Sequence, residues 1–271
     1  MASTHSDSYP LGGSNSERDR LLLQAEQYEP TANWLLDQIN IQPGWRVVDI
    51  GCGPIGILNL LSQRVGPRGV VIGLEREQRF VEMARAEVVT RGLGNVTIVQ
   101  ADGLKTGLEN GAFDFVHERL VLINVSAREA FLAEMLSLLR PGGIVAVEDV
   151  DNVSWLCQPA HPSWDALLQA FHTVFHAGGG DGFIGRRLSA LLQAAGVRNI
   201  QTKVTVETPP LGDYRRTHLL SLINSVRDKI IAMGILDETS LDVHREALGQ
   251  HLKDPETIVI DKLLVQCWGQ K

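Results

Sequence analysis

The chain has 271 residues, of which 44% are apolar, and its formal net charge is -7 at pH 7. One large core is expected from this length and composition, and the acidic balance argues against a nucleic-acid partner. No apolar stretch reaches the roughly 18 residues of a membrane span, and no signal-peptide core is visible, so we expect a cytoplasmic protein without a membrane partner. Cys52, Cys157 and Cys267 lie far apart, which indicates neither disulfides nor a metal site.

The first half of the chain alternates between helical and strand patterns. From Ser16 apolar residues recur at helical spacing, and Pro30 is expected to divide this segment into two helices. We then predict strands at 47–50, 69–74, 96–99, 113–117 and 144–147, and helices at 57–65, 77–90 and 127–139. Strands that are apolar on both faces and alternate with helices predict an α/β fold. We expect a doubly wound, Rossmann-like, seven-stranded and mostly parallel sheet with helices on both faces.

The second half is less regular. We predict helices at 164–175, 186–195, 214–233 and 238–252, and strands at 200–206 and 257–268. The chain should therefore form a single domain over 1–271. In this domain 1–40 is a helical lid, 41–150 is the cofactor-binding core, and the insertions 151–183 and 209–254 form a helical substrate cap.

The stretch VVDIGCGPIG, residues 47–56, has the G-x-G-x-x-G spacing of dinucleotide-binding turns. In such turns a pyrophosphate binds free N–H groups at a helix N-terminus. Asp49 adds a carboxylate and Pro54 removes an N–H group, and both disfavour a pyrophosphate. A ligand with an ammonium and a sulfonium, such as S-adenosylmethionine, suits this turn better. Glu75, at the end of the second strand, suits the ribose hydroxyls of either ligand.

Several further motifs follow this turn: GLE at 73–75, VQADGL at 99–104, FDFVHERLVLINV at 113–125 and LRPGG at 139–143. Together they resemble the successive motifs of class I S-adenosylmethionine-dependent methyltransferases, over about residues 45–150. YPLGGSNSERDRLLLQ, VEDVD and IVIDKLLVQCWG resemble a mostly small-molecule branch that is similar to ubiquinone and menaquinone methyltransferases. The resemblance implies S-adenosyl-L-methionine as cofactor and a small organic molecule as methyl acceptor.

The resemblance also implies cofactor-binding residues. Those for the methionine end are Asp49, Gly51, Cys52, Gly53, Glu118 and Arg119, with Gln24 and Tyr9 closing over it. Those for the nucleoside are Glu75 at the ribose and Arg76, Asp102 and Gly103 at the adenine. Asp102 equally suits a capping turn, and Arg119 equally suits an ion pair with Glu118.

Methyl transfer from a sulfonium releases a neutral leaving group, so in-line positioning is the main catalytic task. The candidates for a base are Glu148, Asp149 and His117, which follow or end predicted strands. The sequence thus predicts a methyltransferase that acts by in-line transfer on a small molecule. The alternatives are a methyltransferase-like protein that binds S-adenosylmethionine without methyl transfer and, less favoured, an NAD-dependent dehydrogenase.

Overall fold

The computed structural model describes residues 15–271, with side chains from Arg20 onward, so Tyr9 lies outside the described residues. The described chain forms two compact units. The core unit holds the described residues up to Asp149 together with Arg186–Lys203 and Val265–Lys271, and the insertion unit holds Val150–Gly185 and Val204–Leu264. The predicted assignment of one domain with a lid and a cap stays a prediction.

Eight helices and nine strands make up the described chain. The helices are α1 (Asn15–Ile39), α2 (Leu58–Val65), α3 (Gln78–Thr90), α4 (Arg128–Leu138), α5 (Pro162–Ala177), α6 (Leu188–Ala194), α7 (His218–Ala232) and α8 (Glu238–His251). The strands are β1 (Arg46–Ile50), β2 (Val70–Glu75), β3 (Val96–Gln100), β4 (Phe113–Arg119), β5 (Leu139–Asp151), β6 (Leu156–Gln158), β7 (Arg198–Thr205), β8 (Ile258–Ile260) and β9 (Leu263–Gln270). Most of these bounds agree with the predicted elements to within a few residues.

Seven strands form one sheet in the order β3-β2-β1-β4-β5-β9-β7. The strand β1 pairs in parallel with both β2 and β4, and β4 pairs in parallel with β5. The chain first builds the sheet outward from β1 through β2 to β3, and then continues on the other side of β1 with β4. In open α/β sheets, ligands bind at the carboxyl ends of the strands on either side of such a reversal, which are β1 and β4 in this sheet. The predicted doubly wound α/β fold is confirmed.

The sheet is positioned by apolar packing on its faces. Val47 on β1, Leu35 on α1 and Leu61 on α2 are completely buried in one apolar cluster of the core unit. Burial of such side chains is the main favourable contribution to folding, at about 1.5–3 kcal/mol for each. This packing fixes the position of β1, and with it the glycine turn that follows its carboxyl end.

Two predicted boundaries were wrong. Pro30 lies inside the single helix α1 and does not divide it. The helix continues because its second half buries Ala32, Leu35 and Leu36, which offsets the lost N–H group of the proline. The predicted strand at 257–268 is two strands, because β8 leaves the large sheet and pairs antiparallel with β6 in a separate two-stranded sheet.

The insertion unit has its own apolar core. The helix α5 packs against α7 and α8, and Trp164 on α5 is only 2% exposed. The Trp164 ring meets Trp155 edge to face, and its Nε1 donates to the Trp155 carbonyl oxygen over 3.3 Å. Trp164 is thus a structural residue of this unit. Within residues 15–271 no helix is long and apolar enough to cross a membrane.

Replacing Leu61 with alanine should lower the free energy of unfolding by about 2–5 kcal/mol, because the side chain is completely buried and its loss leaves a cavity. Guanidinium unfolding followed by circular dichroism measures this. The matched control is Leu23→Ala on α1, where the side chain is 46% exposed and the loss should be small. Equal losses in the two variants would contradict the described packing.

Candidate cofactor site at the glycine turn

The three motif glycines have positive φ angles, +72° at Gly51, +53° at Gly53 and +48° at Gly56, which only glycine adopts without strain. A Cβ atom at Gly51 would lie 2.4 Å from Val121 Cγ2, and one at Gly56 would lie 2.4 Å from Asp49 Oδ2. At Gly53, by contrast, such an atom would meet nothing in the described chain within 4 Å. Gly51 and Gly56 therefore permit close packing within the protein, whereas the backbone at Gly53 is open to a ligand.

Asp49 lies beneath the turn and is only 2% exposed. Its Oδ1 lies 2.7 Å from His117 Nδ1, and its Oδ2 accepts a hydrogen bond of 3.2 Å from the backbone N–H of Ile57, just before α2. A dinucleotide would place its pyrophosphate at this helix N-terminus. The protein's own carboxylate already occupies that position.

Asp49 begins a hydrogen-bonded series of buried polar side chains, which we call the buried chain: Asp49, His117, Glu148 and Gln266. His117 Nε2 lies 2.7 Å from Glu148 Oε1, and both side chains are completely buried. Glu148 Oε2 accepts a hydrogen bond of 2.6 Å from Gln266 Nε2, which also donates to the carbonyl oxygen of Thr31 over 3.1 Å. The buried chain thereby connects β1, β4, β5 and β9 with α1.

His117 is the cation of this series. Burial opposes its charge, but the hydrogen bonds that the ring donates to Asp49 and Glu148 outweigh burial and raise the pKa of His117 to about 9. Burial also opposes the charge of Glu148, yet the hydrogen bond and charge of His117 lower the pKa of that carboxyl. At neutral pH both ring N–H groups therefore donate to carboxylates, and the ring has no lone pair that could accept a proton.

The three predicted bases all lie inside the protein. His117, Glu148 and Asp149 have no exposed side-chain surface, and Asp149 Oδ2 accepts a hydrogen bond of 2.8 Å from the backbone N–H of Ile123. The structure brings His117 and Glu148 together as hydrogen-bond partners. The catalytic role of these three residues stays a prediction.

Glu118 and Arg119 end β4 beside the glycine turn. Glu118 pairs with Ile50 in the sheet register, is completely buried, and accepts backbone N–H groups of Val121 and Leu122 at Oε2. Its Oε1 is also buried and has no hydrogen-bond partner in the described chain. Burial raises the pKa of Glu118 to about 7, against the hydrogen bond from Val121 and the charge of His117.

Arg119 likewise has an unused group. Its Nη1 is buried without a hydrogen-bond partner among residues 15–271, while its guanidinium lies over the ring of Tyr28 on α1, 5.4 Å from the ring centroid. The sequence allowed an ion pair between Arg119 and Glu118 as an alternative, but Glu118 Oε1 and Arg119 Nη1 have no partner within residues 15–271. Within the described chain, one acceptor atom and one donor atom at this end of β4 are therefore unpaired.

The predicted ribose residue Glu75 lies next to the turn. Its Oε2 accepts from the N–H of Gly53 over 3.0 Å, and its Oε1 accepts from the N–H groups of Arg76 and Glu77. Burial raises the pKa of this carboxyl. A carboxylate has about four acceptor positions, so Glu75 keeps capacity for a ligand hydroxyl. Cys52 is buried, and desolvation raises the pKa of its thiol, so only its backbone suits a ligand contact.

The predicted adenine residues and Gln24 are more exposed. Asp102 Oδ1 accepts a hydrogen bond of 2.8 Å from the backbone N–H of Leu104. This bond forms the capping turn that sequence analysis gave as the alternative role of Asp102. A Cβ atom on Gly103 would lie 2.5 Å from Phe131 Cε2, so packing alone requires glycine there. Arg76 is exposed, and Gln24 lies half-buried on α1. These four residues stay predictions as cofactor contacts.

Sequence reasoning missed Gln266. It lies in the middle of the apolar run LLVQCW on β9 and is completely buried. A polar amide inside a buried strand needs a partner, and this is the signal that could have identified it. Its partner Glu148 is 118 residues away in the chain, so only the fold reveals the pair.

A mostly parallel sheet of this order, with a glycine turn and buried carboxylates at the point of reversal, is an α/β fold of the methyltransferase type. The chain belongs to the family described as a methyltransferase domain, which matches residues 41–196. This membership confirms the resemblance found in the sequence.

Two similar proteins are also named as methyltransferases. The chain is 34% identical to nocamycin O-methyltransferase of Saccharothrix syringae over 122 residues, which is 45% of this chain and 44% of the relative. It is 28% identical to a demethylmenaquinone methyltransferase of Listeria monocytogenes serotype 4a (strain HCC23) over 133 residues, which is 49% of this chain and 54% of the relative. The chain thus spans about half the length of the curated relatives it matches.

A solved structure shows the same fold. A SAM-dependent methyltransferase from Aquifex aeolicus is similar with a TM-score of 0.53 and 21% identity, over 72% of this chain and 93% of that chain.

The variant His117→Gln should lose about 3–5 kcal/mol of unfolding free energy near pH 6, because it leaves two buried carboxylates without their cation. The folded-state pKa of about 9 exceeds the ordinary 6.5, so the stabilisation by His117 is complete below pH 6.5 and lost as the pH rises through 9. The difference between wild type and variant should therefore shrink with rising pH.

Guanidinium unfolding from pH 6 to 10 measures this difference. The control variant His176→Gln, at an exposed position on α5, should behave like wild type throughout. A difference between wild type and His117→Gln that is independent of pH would show that the ring is neutral.

Proposed function

We propose that this protein is an S-adenosyl-L-methionine-dependent methyltransferase that acts on a small organic molecule. Family membership supports methyl transfer as the reaction class. Two similar proteins are named for small-molecule acceptors, nocamycin and demethylmenaquinone, which supports an acceptor of that kind. The observation that carries the cofactor assignment is the unpaired oxygen of Glu118.

Glu118 Oε1 is a buried acceptor without a protein donor in the described chain. An unsatisfied buried group of this kind costs about 1–3 kcal/mol, and more when it is charged. A ligand that supplies an N–H donor and a positive charge removes this cost, and the α-ammonium of S-adenosylmethionine supplies both. The next residue, Arg119, has a buried donor, Nη1, without a partner in the described chain. This donor suits the α-carboxylate of S-adenosylmethionine.

The charges around the turn support this cofactor over NAD. Asp49, Glu75 and Glu118 are buried carboxyls next to the glycines, and Asp49 accepts the N–H group of Ile57 that a pyrophosphate would need. Two phosphates would lie close to these carboxylates, and like charges at such separations repel strongly in a buried site. A cationic ligand is attracted by the same groups.

The remaining residues take roles in binding and positioning. Gly53 offers open backbone, Glu75 accepts from the ribose, and Asp102 with Gly103 receives the adenine. When bound, S-adenosylmethionine supplies an electrophilic methyl group on a sulfonium. His117 and Glu148 hold Asp49 and the turn in place, and we propose that they are positioning residues that do not touch the acceptor.

Calorimetric titration with S-adenosylmethionine, S-adenosylhomocysteine and NADH in parallel tests the cofactor. We expect the first two to bind and NADH to give no heat. Binding of NADH alone would overturn the assignment, because it would mean that the turn accepts a pyrophosphate in spite of Asp49. Transfer of a radiolabelled methyl group to small phenols, amines and carboxylic acids then tests the reaction.

The variant Glu118→Gln should bind S-adenosylmethionine about 10- to 100-fold more weakly, since a hydrogen bond to a charged group is worth about 1.5–3 kcal/mol. Wild-type affinity should rise from pH 6 to 8, because the carboxyl has a pKa of about 7 and only its ionised form attracts the ammonium. The glutamine variant should show no such rise. Glu129→Gln, at an exposed position on α4, is the matched control and should keep the wild-type affinity and pH profile.

A further inference from the structure

Gln266 on β9 is a completely buried amide outside the proposed cofactor contacts. Its Nε2 donates to Glu148 Oε2 over 2.6 Å and to the carbonyl oxygen of Thr31 on α1 over 3.1 Å. Its Oε1, by contrast, is buried without a hydrogen-bond partner in the described chain. An unpaired buried carbonyl lowers stability, so an apolar residue would suit this strand better on stability alone. An amide kept at such a cost indicates a role in function.

The first of these hydrogen bonds connects Gln266 with Arg119. In the sheet register Glu148 on β5 pairs directly with Arg119 on β4. Burial opposes the charge of Glu148, but the hydrogen bond and charge of His117 lower the pKa of that carboxyl. The charge of Arg119 and the hydrogen bond from Gln266 lower the same pKa further. Arg119 and Gln266 therefore both interact with one ionised carboxylate.

The second hydrogen bond connects Gln266 with Arg119 through α1. Thr31, whose carbonyl oxygen accepts from Gln266, donates its own hydroxyl to the carbonyl oxygen of Tyr28 over 2.8 Å. The Tyr28 ring lies under the Arg119 guanidinium, 5.4 Å from it at the ring centroid. A guanidinium within about 6 Å of a ring centroid is attracted by the ring. Because Gln266 holds α1 at Thr31, it also holds the ring against which Arg119 packs.

We propose that Gln266 is a positioning residue for Arg119. Through Glu148 and through α1 it holds the guanidinium in the orientation that binds the α-carboxylate of S-adenosylmethionine. This role rests on the proposed function, in which the buried Nη1 of Arg119, unpartnered in the described chain, donates to that carboxylate. Gln266 acts through these other groups and is not itself a cofactor contact.

The effect of Gln266 should be confined to one group of the cofactor. Ordering a long arginine side chain on binding costs affinity, and a guanidinium that is already held in place avoids this cost. Loss of the Gln266 amide should therefore weaken the contact with the α-carboxylate and leave the contacts with the adenosine and the ammonium unchanged. A residue that only stabilises the fold would affect all of these contacts alike.

Calorimetric titration of the full chain with two ligands tests this role. The ligands are S-adenosylhomocysteine and decarboxylated S-adenosylhomocysteine, which lacks only the α-carboxylate. Gln266→Met removes the amide and keeps the side-chain length, and it should weaken binding of the first ligand about 10-fold, the effect of one lost hydrogen bond to a charged group, and leave the second unchanged. Gln270→Met, at an exposed position on the same strand, is the matched control and should bind both ligands as wild type does. Equal losses for the two ligands, or no loss for either, would overturn the role of Gln266.

A double-mutant cycle shows whether Gln266 acts through Arg119. Arg119→Met alone should weaken S-adenosylhomocysteine binding, because it removes the donor to the carboxylate. Adding Gln266→Met to Arg119→Met should cause no further loss, since the group that Gln266 positions is then absent. Additive losses would contradict the proposed role, because they would show that Gln266 affects binding independently of Arg119.

The wild-type titrations separate this role from the proposed function. If wild type does not bind S-adenosylhomocysteine, the proposed function itself fails. If wild type binds it and Gln266→Met binds it equally well, the cofactor site stands and Gln266 is not a positioning residue. If wild type binds the two ligands equally well, Arg119 does not hold the carboxylate, and the role of Gln266 fails with that contact.

Thermal unfolding of each variant shows whether a lost signal reflects the fold. Should Gln266→Met be unfolded, Gln266→Asn provides the second test. Its amide is one methylene shorter and cannot hold both Glu148 and Thr31, so the same loss for S-adenosylhomocysteine alone is expected. Unchanged binding of S-adenosylhomocysteine by this variant would equally overturn the role.

Discussion

The glycine turn depends on a buried imidazolium held between two carboxylates. Removing three such groups from water is expensive, and it is tolerated only when the charges are paired and hydrogen-bonded. His117 satisfies both Asp49 and Glu148, which leaves Asp49 Oδ2 free to accept the N–H group of Ile57 and fix the start of α2. Gly56 must then lack a side chain, because the Asp49 carboxylate takes its place.

Two adjacent residues of β4 show how structural and ligand-binding polar groups differ. His117 and Glu118 are both completely buried. Every polar atom of His117 has a protein partner, whereas Glu118 Oε1 has none in the described chain. Because fully paired networks hold a single arrangement and unpaired buried groups destabilise, the first pattern indicates support and the second indicates a ligand. Burial alone does not distinguish them.

Much of the fold could be predicted because local patterns and tertiary packing agree there. The alternating strands and helices from β1 to β5 follow directly from apolar periodicity, and the turn glycines mark the site. Prediction failed where packing outweighs a local signal, as at Pro30, which stays inside a helix whose next turn is buried in the core. It also failed at 257–268, where a continuous apolar run divides between two sheets.

The sequence by itself determined the order of the elements, the glycine turn and the presence of a carboxylate beneath it, since these are local and carry strong residue preferences. Only the tertiary structure decided which polar groups are already paired. Asp49 and His117 are 68 residues apart, and Glu148 and Gln266 are 118 apart, yet each pair shares a hydrogen bond. No local pattern encodes such a partnership, because it arises only when sheet register and burial bring distant strands together.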